Sequence, residues 1–301
     1  MSSNRKAYAY GISAVLLWST AASAFKLSLR LLTPLELQFS AVAVAVVFLA
    51  FRAAAVGALR TMIPATPGDA VRSAVLGALN PFGYYWILLA AYDRLPAQEA
   101  LVLNYLWPVV LAVLAVPFLG HSLSGRSLAA LGVSFTGVIV IGTRGNLATL
   151  RFSDPVGVAL AAGSSLVWAV YWIINVRDPR DGATKLLQSF LFGLLYLAIP
   201  MVGAGAPHAI PWRGAAGATY VGLFEMGVTF SLWLAALRLV DRTARISNLV
   251  FLSPFISLIL VRLVLAEPIV PTTIGGLLLI LSGIALQATS SRRPAGAQRA
   301  R

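Results

Sequence analysis

From Tyr8 almost to the C-terminus, apolar stretches with few or no charges follow one another, separated by short clusters of proline, glycine and charged residues. Each stretch runs to about 18 residues or more, the length a helix needs to cross the hydrocarbon core of a bilayer. The pattern predicts ten transmembrane helices, at about 8 to 29, 34 to 55, 71 to 92, 97 to 118, 126 to 143, 155 to 176, 184 to 204, 214 to 237, 243 to 265 and 271 to 289. Thr33-Pro34, Pro64 with Pro67-Gly68, Leu95-Pro96, Asp154-Pro155, Asp178-Pro179, Pro207 with Pro211, and Glu267-Pro268 fall between them. Proline stops a helix or opens the next, so these pairs mark the boundaries.

The predicted fold class is therefore an all-α membrane protein, and composition agrees. Of 301 residues, 59% are hydrophobic and 11% charged, where soluble domains run at about half and a quarter. The net charge of +13 would suit a nucleic-acid binder, but the basic residues sit in short connections and in a tail holding Arg292, Arg293, Arg299 and Arg301. They form no stripe along one element, so no nucleic-acid partner is expected. With the N-terminus in the cytoplasm, 16 of the 23 Lys and Arg face the cytoplasm and 7 the opposite side. That bias places both termini in the cytoplasm. Arg5 and Lys6 before an apolar run and Ala22-Ser23-Ala24 resemble a signal peptide. The run from Ala7 to Phe25 is long for one, and the segment reads better as the first helix.

The halves repeat. Pro108 and Pro254 stand 146 residues apart, and the same offset pairs Leu103 with Leu249, Leu131 with Leu277 and Gly137 with Gly283. An offset of 150 pairs Trp18 with Trp168 and Leu16 with Leu166, and Leu89-Ala90-Ala91 answers Leu234-Ala235-Ala236. Matched order across several helices marks a repeat. Five helices per half is an odd number, so the second half lies upside down relative to the first, a plan used by secondary transporters with a central site. The expected units are a first repeat over 1–150, a second over 151–289 and a basic tail over 290–301.

The run Ala90-Ala91-Tyr92 to Ala100, Leu106-Trp107-Pro108-Val109, Gly120-His121 and Leu131-Gly132 to Gly137-Val138 resembles the EamA-type repeat of the drug/metabolite transporter superfamily. The second copy, Ala235-Ala236, Leu252-Ser253-Pro254-Phe255, Ala266-Glu267 and Gly275 to Gly283-Ile284, is similar and has the family's Glu where the first copy has His121. Length and aromatic content look most like the aromatic amino acid exporters of the YddG type. The resemblance implies a bacterial inner-membrane protein that exports amino acids or related small metabolites by alternating access. Proton-coupled efflux of cationic drugs and a passive channel remain as alternatives.

Enzymatic chemistry is not expected. The chain has no cysteine, only two histidines, His121 and His208, and no mid-depth carboxylate pair, so metal and cofactor sites and nucleophile–base constellations lack their parts. It carries no phosphate-binding glycine loop followed by Lys and Ser or Thr. The expected partners are a small-molecule substrate and membrane lipid. Small residues at Gly132, Thr136, Ser282 and Gly283 allow close packing within a monomer or a weak homodimer.

Candidate substrate-binding residues are those that combine polar groups or flat rings with mid-span positions. Trp18, Trp107 and Trp168 lie near the middles of their helices; Trp172, Trp212 and Trp233 fit an interfacial belt. Ser19 adjoins Trp18, Tyr171 lies one turn from Trp168, and Asn104 one turn from Trp107. Asn80, Tyr84 and Tyr85 combine a mid-membrane amide, a proline kink and an aromatic cluster. Glu225 is the acidic residue nearest the centre of a span, where a charge costs about 2.5 to 3.5 kcal/mol on insertion scales, so a function is expected of it. Thr229 stands one turn away. Pro108 and Pro254 each remove a backbone donor, and read as matched hinges. Lys26 and Arg262 lie near helix ends and read as snorkelling, and Glu267 as a cap contact.

Overall fold

A computed structural model describes residues 3–119, 125–146, 154–204, 210–239 and 248–290. His121, His208 and the tail arginines lie outside the described residues. Among those described, helix dominates and no strand occurs. The helices are α1 (Ser3–Leu29), α2 (Pro34–Ala55), α3 (Pro67–Gly77), α4 (Tyr84–Arg94), α5 (Ala97–Asn104), α6 (Trp107–Leu119), α7 (Gly125–Gly142), α8 (Pro155–Arg177), α9 (Gly182–Gly203), α10 (Trp212–Tyr220), α11 (Val228–Leu239), α12 (Ser253–Leu265) and α13 (Pro271–Ser290).

Among the described residues, six stretches are long and apolar enough to cross a membrane: Arg5–Leu29, Pro34–Ala55, Pro67–Arg94, Pro155–Arg177, Gly182–Gly203 and Trp212–Leu239. Leu128–Gly142, Leu249–Leu265 and Pro271–Leu286 are shorter apolar helices. The helix expected over 97 to 118 is instead two pieces, α5 and α6, parted at Tyr105 and Leu106.

The helix starts follow from a recurring pair, a capping side chain followed by proline. Thr33 Oγ1 accepts from Glu36 N at 3.3 Å while Thr33 N donates to Glu36 Oε2 at 2.8 Å, a capping box ahead of Pro34. Thr66 Oγ1 accepts from Asp69 N at 3.1 Å ahead of Pro67, and Asp154 Oδ1 from Gly157 N at 2.8 Å ahead of Pro155. The side chain satisfies an orphan N–H of the first turn, and proline has no N–H to orphan.

Besides the α5–α6 gap, three further spans are broken inside among the described residues. Ala78–Gly83 is a π-helical turn in which Asn80 has non-helical angles (φ −146°, ψ 119°) beside Pro81. Carbonyls freed there need donors, and Gln38 of α2 supplies one, its Nε2 lying 2.8 Å from Pro81 O and 2.7 Å from Phe82 O. Val221–Gly227, joining α10 to α11, is a second π-helical turn. A third break precedes α12, where the 3-10 turn Asn248–Leu252 leads into Ser253 and Pro254. Pro108 and Pro254 each lie in the first turn of a half-helix, where a missing N–H costs least.

Apolar lipid gives helices no hydrophobic drive to associate, so close backbone approach has to supply the attraction. The α7–α13 pair shows it: a Cβ on Gly137 would meet Gly276 O and Ile280, and one on Gly283 would meet Ala130 O and Ser134. Gly77 of α3 lies against Ser189 and Phe192 of α9, and Gly222 lies against Ala41 and Val44 of α2. Around the interior, α1 packs on α11 and α12 while α8 packs on α4, α5 and α6.

At the end of the bundle bearing the N-terminus, Arg180 organises the α8–α9 connection. It forks onto Asp178, with Nε 3.0 Å from Oδ1 and Nη2 2.5 Å from Oδ2, and its Nη1 donates to Ser73 Oγ and Gln188 Oε1, each at 2.7 Å. Burial pushes the Asp178 carboxyl up, but the Arg180 side chain and backbone N–H outweigh it and hold it below the usual carboxylate range. A depressed carboxyl contributes stability that is full above its unfolded value, about 3.9, and is lost as pH falls through the folded value. Asp178→Asn is therefore expected to lower the melting temperature at pH 7, with the gap from wild type closing below about pH 4. A gap unchanged between pH 7 and about pH 3 would show that the ion pair is not its source.

Candidate functional site

A cavity of about 630 Å³ lies among α1, α4, α5, α6, α8, α11 and α12. Trp18, Tyr84, Tyr85, Asn104, Trp107, Pro108, Trp168 and Glu225 line it together. Two aromatic centres face each other across it, bridged by Phe230. Trp18 lies 5.3 Å from Trp233 and 5.7 Å from Phe230; Trp168 lies 4.5 Å from Tyr84 and 6.0 Å from Phe230.

Hydrogen bonds hold the polar side chains. Tyr84 OH donates to Asn104 Oδ1 at 3.2 Å, Asn104 Nδ2 donates to Ser164 Oγ at 2.8 Å, and Ser164 Oγ donates to Ala161 O at 2.6 Å. Tyr85 OH donates to Glu225 Oε1 at 3.0 Å. Glu225 sits in the second π-helical turn, whose extra residue changes which face of the span its side chains meet relative to an unbroken α-helix.

Five expected residues do not line the cavity. Ser19 is fully buried, donating to Val15 O at 2.7 Å and standing 3.2 Å from Ser253 Oγ. Thr229 turns its hydroxyl to the Phe224 carbonyl within its own span. Tyr171 lies behind Trp168, stacked at 5.3 Å, where it braces the ring. Asn80 is fully buried in the first π-helical turn, and Pro254 is buried behind Ser253.

In their place the cavity takes Phe25, Tyr92, Tyr105, Phe230 and Ser253, and also Trp172 and Trp233, which the belt reading put at the interface. Three signals point to them. Phe25 follows Trp18, and Tyr92 follows Tyr85, by seven residues, two helical turns. Trp172 is one turn from Trp168. The 145-residue offset of Leu89 and Leu234 also pairs Tyr85 with Phe230, and Asn80 with Glu225.

One end of the cavity is shut. Phe25 and Tyr92 meet edge to face at 5.3 Å. Beyond them Lys26 Nζ donates to Tyr92 O at 2.6 Å and Leu95 O at 2.8 Å, tying α1 to the α4–α5 turn. Glu267 Oε2 accepts from Ala97 N at 3.0 Å, so Glu267 caps α5 from the α12–α13 connection. Gln98 completes the seal, its Nε2 donating to Pro268 O at 2.7 Å and its Oε1 accepting from Val270 N at 2.9 Å. At the other end the lining reaches Val176, which is 74% exposed and marks the mouth.

The model of the EamA-like transporter family matches this chain twice, over residues 5–143 and 155–289. The chain belongs to the EamA-like transporter family. Like its relatives, this EamA-like chain is a multi-pass membrane transporter of small molecules and not an enzyme. It is 27% identical over 95% of its length to a probable terminal-alkyne amino-acid exporter of Streptantibioticus cattleyicolor, covering 93% of that protein. It is 25% identical to the uncharacterized transporter YvbV of Bacillus subtilis, over 72% of each chain. With the aromatic amino acid exporter YddG of Ancylobacter novellus it shares 25% identity over 50% of this chain and 53% of that one. A solved crystal structure superposes with a TM-score of 0.67 at 21% identity, covering 95% of this chain and 98% of its own, a likeness of fold alone.

Proposed function

We propose that this EamA-like transporter exports amino acids, aromatic ones among them, and related small metabolites by alternating access between two inverted five-helix halves. The cavity carries the reading: it is walled by aromatic rings, deep enough for an amino acid, open at one end and sealed at the other. A path closed at one end suits alternating access better than a passive channel. Two relatives bear amino-acid exporter names, which supports the substrate class.

Reciprocal packing supports the inverted repeat. Residues 137 and 283 are 146 apart, as are 134 and 280, and 130 and 276; Gly137 faces Gly276 and Ile280 while Gly283 faces Ala130 and Ser134. Gly77 meets Ser189 and Phe192 as Gly222 meets Ala41 and Val44, each α9 residue 148 beyond its α2 counterpart. Contacts that exchange in this way are the signature of a two-fold axis. With the termini in the cytoplasm of a bacterial cell, the mouth at Val176 faces inward and the Lys26 seal outward.

In this reading Trp18, Tyr84, Tyr85, Asn104, Trp107, Trp168 and Glu225 contact the substrate. Ser19, Asn80, Tyr171 and Thr229 support the walls, and the half-helix starts at Pro108 and Pro254 bend. Purified protein in liposomes is expected to exchange labelled phenylalanine or tryptophan with saturable kinetics. Trp168→Ala, which removes the ring stacked between Tyr84 and Tyr171, is expected to raise KM about tenfold, or about 1.4 kcal/mol of binding. Flux that stays linear in substrate concentration would identify a channel, and no flux of any amino acid would end the export reading.

A further inference from the structure

We infer that the cavity selects its substrate through an amine and does not require a carboxylate, with Glu225 receiving the ammonium group. This deepens the transport reading above and rests on it. Among the described residues that line the cavity, Glu225 is the one acidic side chain, and none is Lys, Arg or His. Its Oε1 is held by Tyr85 OH, while its Oε2 is buried with no hydrogen-bond partner. A carboxylate withdrawn from water in this way is costly until a cation or donor meets it. A substrate ammonium supplies three N–H donors and the opposite charge. Around it aromatic rings that line the cavity, Trp18, Tyr84 and Phe230 among them, offer surface to an aryl group.

A substrate carboxylate finds little in return. Tyr84 OH is committed to Asn104 and Tyr85 OH to Glu225 itself, and Asn104 Nδ2 gives one of its two N–H groups to Ser164. Trp172 Nε1 is a buried donor without a partner, and a single indole N–H serves an amide or ester carbonyl as well as a carboxylate. An anionic group would share the cavity with Glu225 and have no basic side chain to offset it. The substrate class that follows is a primary amine bearing an aromatic or bulky apolar group: aromatic amino acids, their amides and esters, and arylalkylamines. Deaminated aryl carboxylates are excluded.

The test is equilibrium binding of labelled phenethylamine to the full-length purified protein in lipid nanodiscs, with phenylalanine, phenylalaninamide and 3-phenylpropionate as competitors. Phenethylamine is expected to bind saturably, the amide to compete at least as well as phenylalanine, and 3-phenylpropionate about 100-fold less well. Glu225→Gln is expected to weaken phenethylamine about 100-fold, and Glu225→Asp to recover part of that loss. The ligand series in the wild type decides the matter even where a variant folds poorly. Absence of phenethylamine binding, equal competition by 3-phenylpropionate, or full phenethylamine affinity in a folded Glu225→Gln protein would each overturn the inference. Phenylalanine flux together with equal competition by 3-phenylpropionate overturns the inference and leaves the export reading standing. Glu225-dependent amine binding without flux of any amino acid does the reverse.

Discussion

Gly222→Val is expected to remove most of the folded protein, costing about 3 kcal/mol or more. The added Cβ would fall on the Ala41 carbonyl oxygen and on Val44 of α2. Backbone cannot step aside as the tip of a flexible side chain can, so the bulge carrying Glu225 would be pushed off α2. Gly77→Val is expected to behave alike, because its Cβ would meet the Ser189 carbonyl and Phe192 of α9. A Cβ added to Gly132 or Gly163 would enter open space, so the valine variants at those two positions serve as controls. Monodisperse yield and melting temperature measure the effect. A Gly222→Val protein that is monodisperse and melts within about 2 °C of wild type would mean that the close approach is not needed.

Lys26→Met is expected to unlatch the sealed end. The substitution keeps an apolar stem of similar length but removes the cation from the Tyr92 and Leu95 carbonyls, which lie 2.6 and 2.8 Å from Nζ. Hydrogen bonds to a charged group contribute about 1.5 to 3 kcal/mol each, and a tenfold change in population needs only about 1.4 kcal/mol. The open state at that end should therefore gain at least about tenfold in occupancy. The chain contains no cysteine, so a single Leu88→Cys on the cavity wall reports access with no background. In Lys26→Met, labelling of that cysteine by a membrane-impermeant maleimide from the sealed side is expected to rise about tenfold. Unchanged labelling would assign Lys26 a purely structural role.

Several helix starts were legible in the sequence because they are written in chemistry that acts locally. Thr33 before Pro34, Thr66 before Pro67 and Asp154 before Pro155 cap their helices whatever surrounds them. The breaks inside spans were harder to read. Pro81 betrays the first π-helical turn, but Val221–Gly227 contains no proline, and the α5–α6 gap opens two residues ahead of Pro108.

Which face of a helix meets the cavity was the least legible feature, because a helix apolar all round has no polar side to subtract. Trp172 and Trp233 could thus be assigned to a belt although they wall the cavity. Ser19 and Thr229 pointed the other way for a related reason. A hydroxyl in a membrane helix can satisfy itself on a carbonyl of its own helix, as both do, so its polarity does not mark a site. Pairing Asn80 with Glu225 required the offset to shift from 150 in the first helix of each half to 145 in the third, which no single alignment of the halves displays.

The α7–α13 seam has a mechanical consequence. At Gly137, Gly276 and Gly283 the two helices approach so closely that an added Cβ would meet backbone carbonyl oxygens as well as the side chains of Ile280, Ile141 and Ser134. Contacts of that kind hold or break and do not glide. The seam joins the last helix of one family-matched stretch to the last helix of the other. Under the proposed alternating access, a seam held this closely is expected to stay together while the helices across the cavity move.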